Sequence, residues 1–81
     1  MNVINLEDIR YFLKQKVVDR IAYMGVFEDS GDEVKVCMMS DFGDVKKGEV
    51  AIVDKNVITQ RCKEGNCEII SLDEFKSSSR G

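Results

Sequence analysis

Histidine is absent from this sequence. That removes the usual general acid and base near neutral pH, the histidine-activated serine and cysteine nucleophiles, and the commonest metal ligand. Neither Gly-x-x-x-x-Gly-Lys-Ser/Thr nor Gly-x-Gly-x-x-Gly occurs, so the phosphate-cradling loops of nucleotide enzymes are missing as well. No apolar stretch approaches the roughly 18 residues of a membrane-crossing helix. The longest, Ile21 to Phe27, is interrupted by Gly25. The opening eight residues lack the basic and apolar regions of a secretory leader, and no segment repeats at a fixed period. The expectation is a protein that is not an enzyme, carries no cofactor and no metal, enters no membrane and is cytoplasmic.

Cysteine is scarce and odd in number. Cys37, Cys62 and Cys67 cannot all pair internally, which fits reduced thiols better than a disulfide scaffold. Cys62 and Cys67 flank a predicted turn, so in this reading they face each other across a hairpin, close enough for a strained disulfide or a shared metal. Cys-x4-Cys lacks the Cys-x2-Cys spacing of a zinc knuckle, and Cys37 supplies only a third thiolate. A redox pair at Cys62 and Cys67 is thus the functional alternative to three thiols packed in a sheet.

What is present describes a folded domain. The chain is 43% hydrophobic and 33% charged over 81 residues, far from the composition of disorder, with room for one core. We expect a single domain over residues 1–75 and a flexible tail over 76–81. The net charge of −3 is unevenly spread: residues 28–45 carry one basic and six acidic groups, and residues 46–63 carry five basic and two acidic. A nucleic-acid binder is usually basic overall, so the total disfavours that class while the 46–63 segment keeps it open.

Asn5 has the chemistry of an N-cap, with Glu7 and Asp8 where a helix dipole favours negative charge. Leu6, Ile9, Phe12 and Leu13 follow at helical spacing, predicting a helix over 6–16. Extending the period to Val17, Ile21 and Met24 takes the helix to Gly25. The β-branched and aromatic run from Val17 onward instead favours a strand. Asp29-Ser30-Gly31-Asp32 marks a hairpin turn, and Val34, Val36 and Met38 alternate on a second strand. Further strands are predicted at 49–53, 57–62 and 67–70, separated by turns at 54–56 and 63–66. Ser71-Leu72-Asp73-Glu74 has the spacing of a capping box and starts about one helical turn.

A helix and about five short antiparallel strands give an α+β fold, either a small barrel or a curled sheet. The order of elements resembles that of SH3-like barrels and, among them, Sm-like proteins. Gly48 to Ile58 resembles the strand–turn–strand end of an Sm motif. The likeness concerns fold and assigns no function.

Three constellations are candidates for contact. Phe42, in the polar loop Asp41-Phe42-Gly43-Asp44, is a candidate anchor for a protein partner. The acidic turn Glu28, Asp29, Asp32 and Glu33 matches no EF-hand loop, and its functional use is a negative patch that steers a basic partner. Lys46, Lys47, Lys55, Arg61 and Lys63 lie near predicted strand ends and are candidate phosphate contacts, with only Phe42 nearby to stack on bases. The leading expectation is a small binding or regulatory module acting on a protein partner or forming a homo-oligomer. A nucleic-acid-binding barrel and a thiol- or metal-dependent sensor are the alternatives.

Overall fold

A computed structural model describes residues 5–79. Its first segment departs from the helix predicted over 6–16. Asn5 has extended backbone angles and makes no side-chain cap, and only Leu6–Asp8 forms a turn of 3-10 helix before Ile9 extends again. Tyr11–Val17 is then a strand, β1. The cause is burial on both faces. Phe12 and Leu13 point to opposite sides of the sheet and both are buried, so a central strand shows adjacent apolar residues that mimic a helical stripe.

β2 spans Arg20–Asp29 and pairs with β1 antiparallel from Tyr11↔Val26 to Val17↔Arg20. The strand predicted beyond Val17 therefore forms, and the longer helix to Gly25 does not. β3 spans Glu33–Met38, as its alternation predicted, and pairs with β2 across a bulge between Val26 and Glu28. The turn joining them is built from the expected residues. The Gly31 N–H donates to Asp29 Oδ1 at 2.9 Å, the Ser30 N–H donates to Glu33 O at 3.0 Å, and Gly31 holds φ 97°.

β4 covers Val50–Asp54, and the strand expected after it is a helix. α1 runs Lys55–Lys63, capped by Asp54, whose side chain accepts from the Asn56 N–H at 2.8 Å. Val57, Ile58 and Thr59 suggested a strand by β propensity. Tertiary packing overrides it: Ile58 and, four residues on, Cys62 fall on one helical face against the sheet, while Arg61 and Lys63 suit the negative end of the dipole. The likeness of Gly48–Ile58 to an Sm strand–turn–strand therefore fails after Asp54. β5, Cys67–Ile70, returns as the neighbour of β1. α2 spans Leu72–Ser79, opened by the Glu74 N–H donating to Ser71 Oγ at 3.2 Å, so helix continues where a tail from residue 76 was expected. Arg80 and Gly81 lie outside the described residues.

The five strands form one antiparallel sheet in the order β4-β3-β2-β1-β5. Among the described residues it is open, with β4 and β5 as its edges, and no barrel closes. α1 crosses one face from the β4 edge to the β5 edge, burying Leu13, Val26, Val34, Val36, Ile58 and Cys67. We call this the front. On the back, Phe12, Ile70 and Phe75 form a second cluster, with the Phe12 and Phe75 rings stacked at 4.4 Å and Tyr23 edge-on to Phe75 at 5.5 Å. Gly25 lets Ile9 lie against the back of β2, because a Cβ there would come within 2.8 Å of Ile9 Cδ1. Among the described residues no helix is long and apolar enough to cross a membrane.

Candidate functional site: an apolar groove on the front face

α1 covers only part of the front. The rest of that face is a groove of about 420 Å³, within the size range of ligand sites. Side-chain alternation builds its floor: Ala22 and Met24 of β2, Val36 and Met38 of β3, and Ala51 and Val53 of β4 all point forward. α1 contributes one wall through Arg61, and the segment between β3 and β4 contributes the other through Phe42, Val45 and Glu49. Of the lining side chains only Gln15, Glu49 and Arg61 are polar.

The second wall is a structured loop. Phe42 and Val45 exchange backbone bonds of 2.8 and 3.0 Å, Asp41 Oδ1 accepts from the Lys47 N–H at 2.7 Å, and Glu49 Oε2 accepts from the Lys46 N–H at 2.5 Å. Phe42 does not project as a free anchor. Its ring folds back, half-buried, with the Arg20 guanidinium 4.4 Å above its centroid. Asp41 staples the loop and Asp44 is exposed at its tip.

At the opposite wall the polar groups are fixed. Gln15 is only 7% exposed, and its Oε1 accepts from Arg61 Nε at 2.7 Å while its Nε2 lies 4.0 Å from Met24 Sδ. Arg61 Nη2 also donates to Lys16 O at 2.9 Å. The guanidinium is thus held by two bonds beside an apolar cavity, a preorganised partner for a carboxylate.

The turn that follows the groove residue Val17 holds a strained residue. Val18, in the turn between β1 and β2, has φ 59° and is 88% exposed. A β-branched side chain in that region is a genuine outlier, where glycine would relieve the strain. Its neighbours Val17 and Arg20 belong to the groove lining and to the Phe42 contact.

The acidic turn lies elsewhere. It sits at the start of β3, whereas Phe42 follows the end of that six-residue strand, about 20 Å away at the rise of extended chain. Glu28 pairs with Lys35 at 3.3 Å on the surface. Asp29 accepts from Lys55 Nζ at 2.5 Å, the Gly31 N–H at 2.9 Å and Tyr11 Oη at 2.9 Å. The bond from Lys55, then those from Gly31 and Tyr11, hold its carboxyl down to about 2. Burial and the same aspartate push the Tyr11 phenol up to about 12. Asp32 accepts the Lys55 N–H on its backbone carbonyl, and Glu33 pairs with Asp54 in the ladder. These acids hold the end of the sheet together and do not extend the groove.

The five basic residues come from separate elements, and two of them are already engaged by other side chains. Lys46 and Lys47 precede β4, Lys55 follows it and is paired with Asp29, Arg61 is tied to Gln15 and Lys16, and Lys63 ends α1. Lys55 and Lys63 alone are about 12 Å apart along the helix.

The cysteines divide between the faces. Cys62 packs against the front cluster that holds Cys67, so the two are neighbours, although across a helix–turn–strand and not a hairpin. Burial, then Cys62, pushes the Cys67 thiol up to about 12. Cys37 is buried on the back, where burial also raises its pKa. Among the described residues no three histidine, cysteine, aspartate or glutamate side chains gather as a metal site.

Compared with family models, curated proteins and solved structures, the chain matches none. The groove therefore rests on its own geometry. Its polar wall, Gln15 and Arg61, and the neighbouring Val18 and Arg20 were not joined as a group by the sequence. Val17-Val18-Asp19-Arg20 lacks glycine and asparagine, and Asp19 alone hinted at a turn between β-branched runs.

Proposed function

We propose that this protein is a non-enzymatic binding module whose front groove receives apolar side chains of a protein partner, with Arg61 meeting a carboxylate of the same segment. The observation that carries the reading is an open apolar groove on a sheet face with one fixed guanidinium in its wall. Val18 supports it. A residue held in strain with its apolar side chain in solvent is stability given up next to the groove residue Val17, and such outliers concentrate at functional positions.

The test is site-specific photo-crosslinking in the producing cells. A photoreactive side chain replacing Val18 or Val45 is expected to capture one partner, and the same group at the exposed Ile69 on β5 is not. Capture from Val18 must fail when Val45→Asp places a charge in the groove. Crosslinks that form equally at Ile69, or persist with Val45→Asp, overturn the reading.

A second reading, a thiol-dependent sensor, draws on the contact of Cys62 with Cys67. With oxidised glutathione as the oxidant, the two thiols would lose their hydrogens to form a Cys62–Cys67 disulfide, while glutathione takes up both hydrogens. Intact mass and alkylation counting read this directly. An unchanged mass with all three thiols still free overturns it.

A further inference from the structure

We infer that β4 is a self-pairing edge, and that two copies of this chain join antiparallel along it to make one continuous ten-stranded sheet. The inference stands apart from the groove reading. An open sheet has two edges, and proteins normally protect them with charge, proline, a bulge or a covering element. β5 is short and carries Glu68 at its second position. Among the described residues β4 is less protected, with its one charge, Asp54, at its last position. The chain contains no proline, Val50-Ala51-Ile52-Val53 is uncharged, and the register with β3 runs unbroken from Glu33↔Asp54 to Cys37↔Val50. Val50 is 53% and Ile52 60% exposed.

The backbone supplies a matching set of donors and acceptors. At one end of the β3–β4 ladder the Lys55 N–H donates to Asp32 O at 2.8 Å, and at the other the Met38 N–H donates to Glu49 O at 2.8 Å. Alternation then turns the amides and carbonyls of Ala51 and Val53 towards β3, and those of Val50, Ile52 and Asp54 outwards. An antiparallel second copy centred on Ile52 sets Ile52 against Ile52 of the other chain and Val50 against Asp54. Each outward group then meets its complement.

Charge selects a second copy as the occupant. Glu49 and Lys55 lie three residues either side of Ile52, so this register puts each glutamate beside the other chain's lysine at both ends, where the ammonium, already paired with Asp29 of its own chain and 37% exposed, has donors left for a second carboxylate. Glu49 takes the Lys46 amide on Oε2, which leaves Oε1 to face that cation. Because the two-fold axis stands perpendicular to the shared sheet, both grooves would open on the same side and meet across the seam.

Sedimentation equilibrium and amide hydrogen exchange, each across a concentration series, test the inference on the native chain. We expect a mass rising from 9.2 kDa towards twice that value, with exchange at Val50, Ile52 and Asp54 slowing about tenfold over the same range. Ile52→Lys sets lysine against lysine on the axis and should hold the chain at the single-copy mass. Its melting temperature should barely change, because Ile52 is exposed. A chain that stays single at every concentration overturns the inference. So does a dimer in which those three amides exchange as fast as in dilute solution, or one that Ile52→Lys leaves intact.

Discussion

Replacing Arg61 by alanine probes the groove wall where its energetics are most exposed. In the native protein Gln15 is nearly buried; its side-chain oxygen takes a 2.7 Å bond from Arg61 Nε, and its amide nitrogen donates to the Met24 sulfur at 4.0 Å. Removing the guanidinium leaves a buried amide carbonyl without its donor, at a cost of about 1–3 kcal/mol. Lys16 O loses a bond as well, but Lys16 is exposed and water replaces it. Taking 2 kcal/mol as the centre, and about 4–8 °C per kcal/mol for a domain of this size, the melting temperature should fall by about 8–16 °C. The discriminating step is the double variant Gln15→Leu with Arg61→Ala. If the loss comes from a stranded polar group, removing that group as well should recover at least about 1 kcal/mol of it. Denaturant melts of the four proteins in the cycle provide the numbers. Arg61→Ala within about 0.5 kcal/mol of the native protein, or a double variant less stable than the single, would refute the reasoning.

The back of the sheet gives a contrasting expectation. Phe75→Ala removes the ring that stacks on Phe12 and meets Tyr23, so it should destabilise by about 3–5 kcal/mol and release α2, seen as lost helical circular dichroism before the main melt. Stability should fall at both pH extremes for opposite reasons. Asp29, held down from 3.8 to about 2, contributes fully above 3.8 and loses that contribution as pH falls towards 2. Tyr11, raised from 10.0 to about 12, contributes fully below 10.0 and loses it as pH rises towards 12. Tyr11→Phe should therefore flatten the alkaline limb of the melting-temperature profile, and Asp29→Asn the acid limb. Val18→Gly should stabilise by about 0.5–1 kcal/mol in a thermal melt by relieving the positive φ, yet weaken partner capture through the lost side chain. Native alkylation should modify Cys62 first, because Cys37 and Cys67 are buried and their thiols are held protonated.

Local chemistry made part of this structure legible in the sequence. The Asp29–Glu33 hairpin, the alternating β3 and the Ser71 cap each depend on a few adjacent residues whose preferences agree with the fold. Two errors share one cause. Phe12-Leu13 and Val57-Ile58-Thr59 each place apolar or β-branched residues side by side, and only burial decides what that means: both faces of a central strand in the first case, one face of a crossing helix in the second. The nearness of Cys62 and Cys67 was foreseeable from spacing alone, since helix and hairpin both return the chain across a short turn. The groove was not foreseeable. Gln15 and Arg61 meet from 46 positions apart, and Phe42 reaches Arg20 only because the β3–β4 loop folds over the front.

The methionines provide the most direct measurement of the central claim. Met24 and Met38 line the front groove, while Met39 packs on the back against the Phe12 and Phe75 cluster. Methyl NMR of the native chain, titrated with the partner recovered through Val18, compares the two faces in one spectrum. The account predicts shifts at Met24 and Met38 with Met39 unmoved. Shifts at Met39 with Met24 and Met38 unmoved would contradict it.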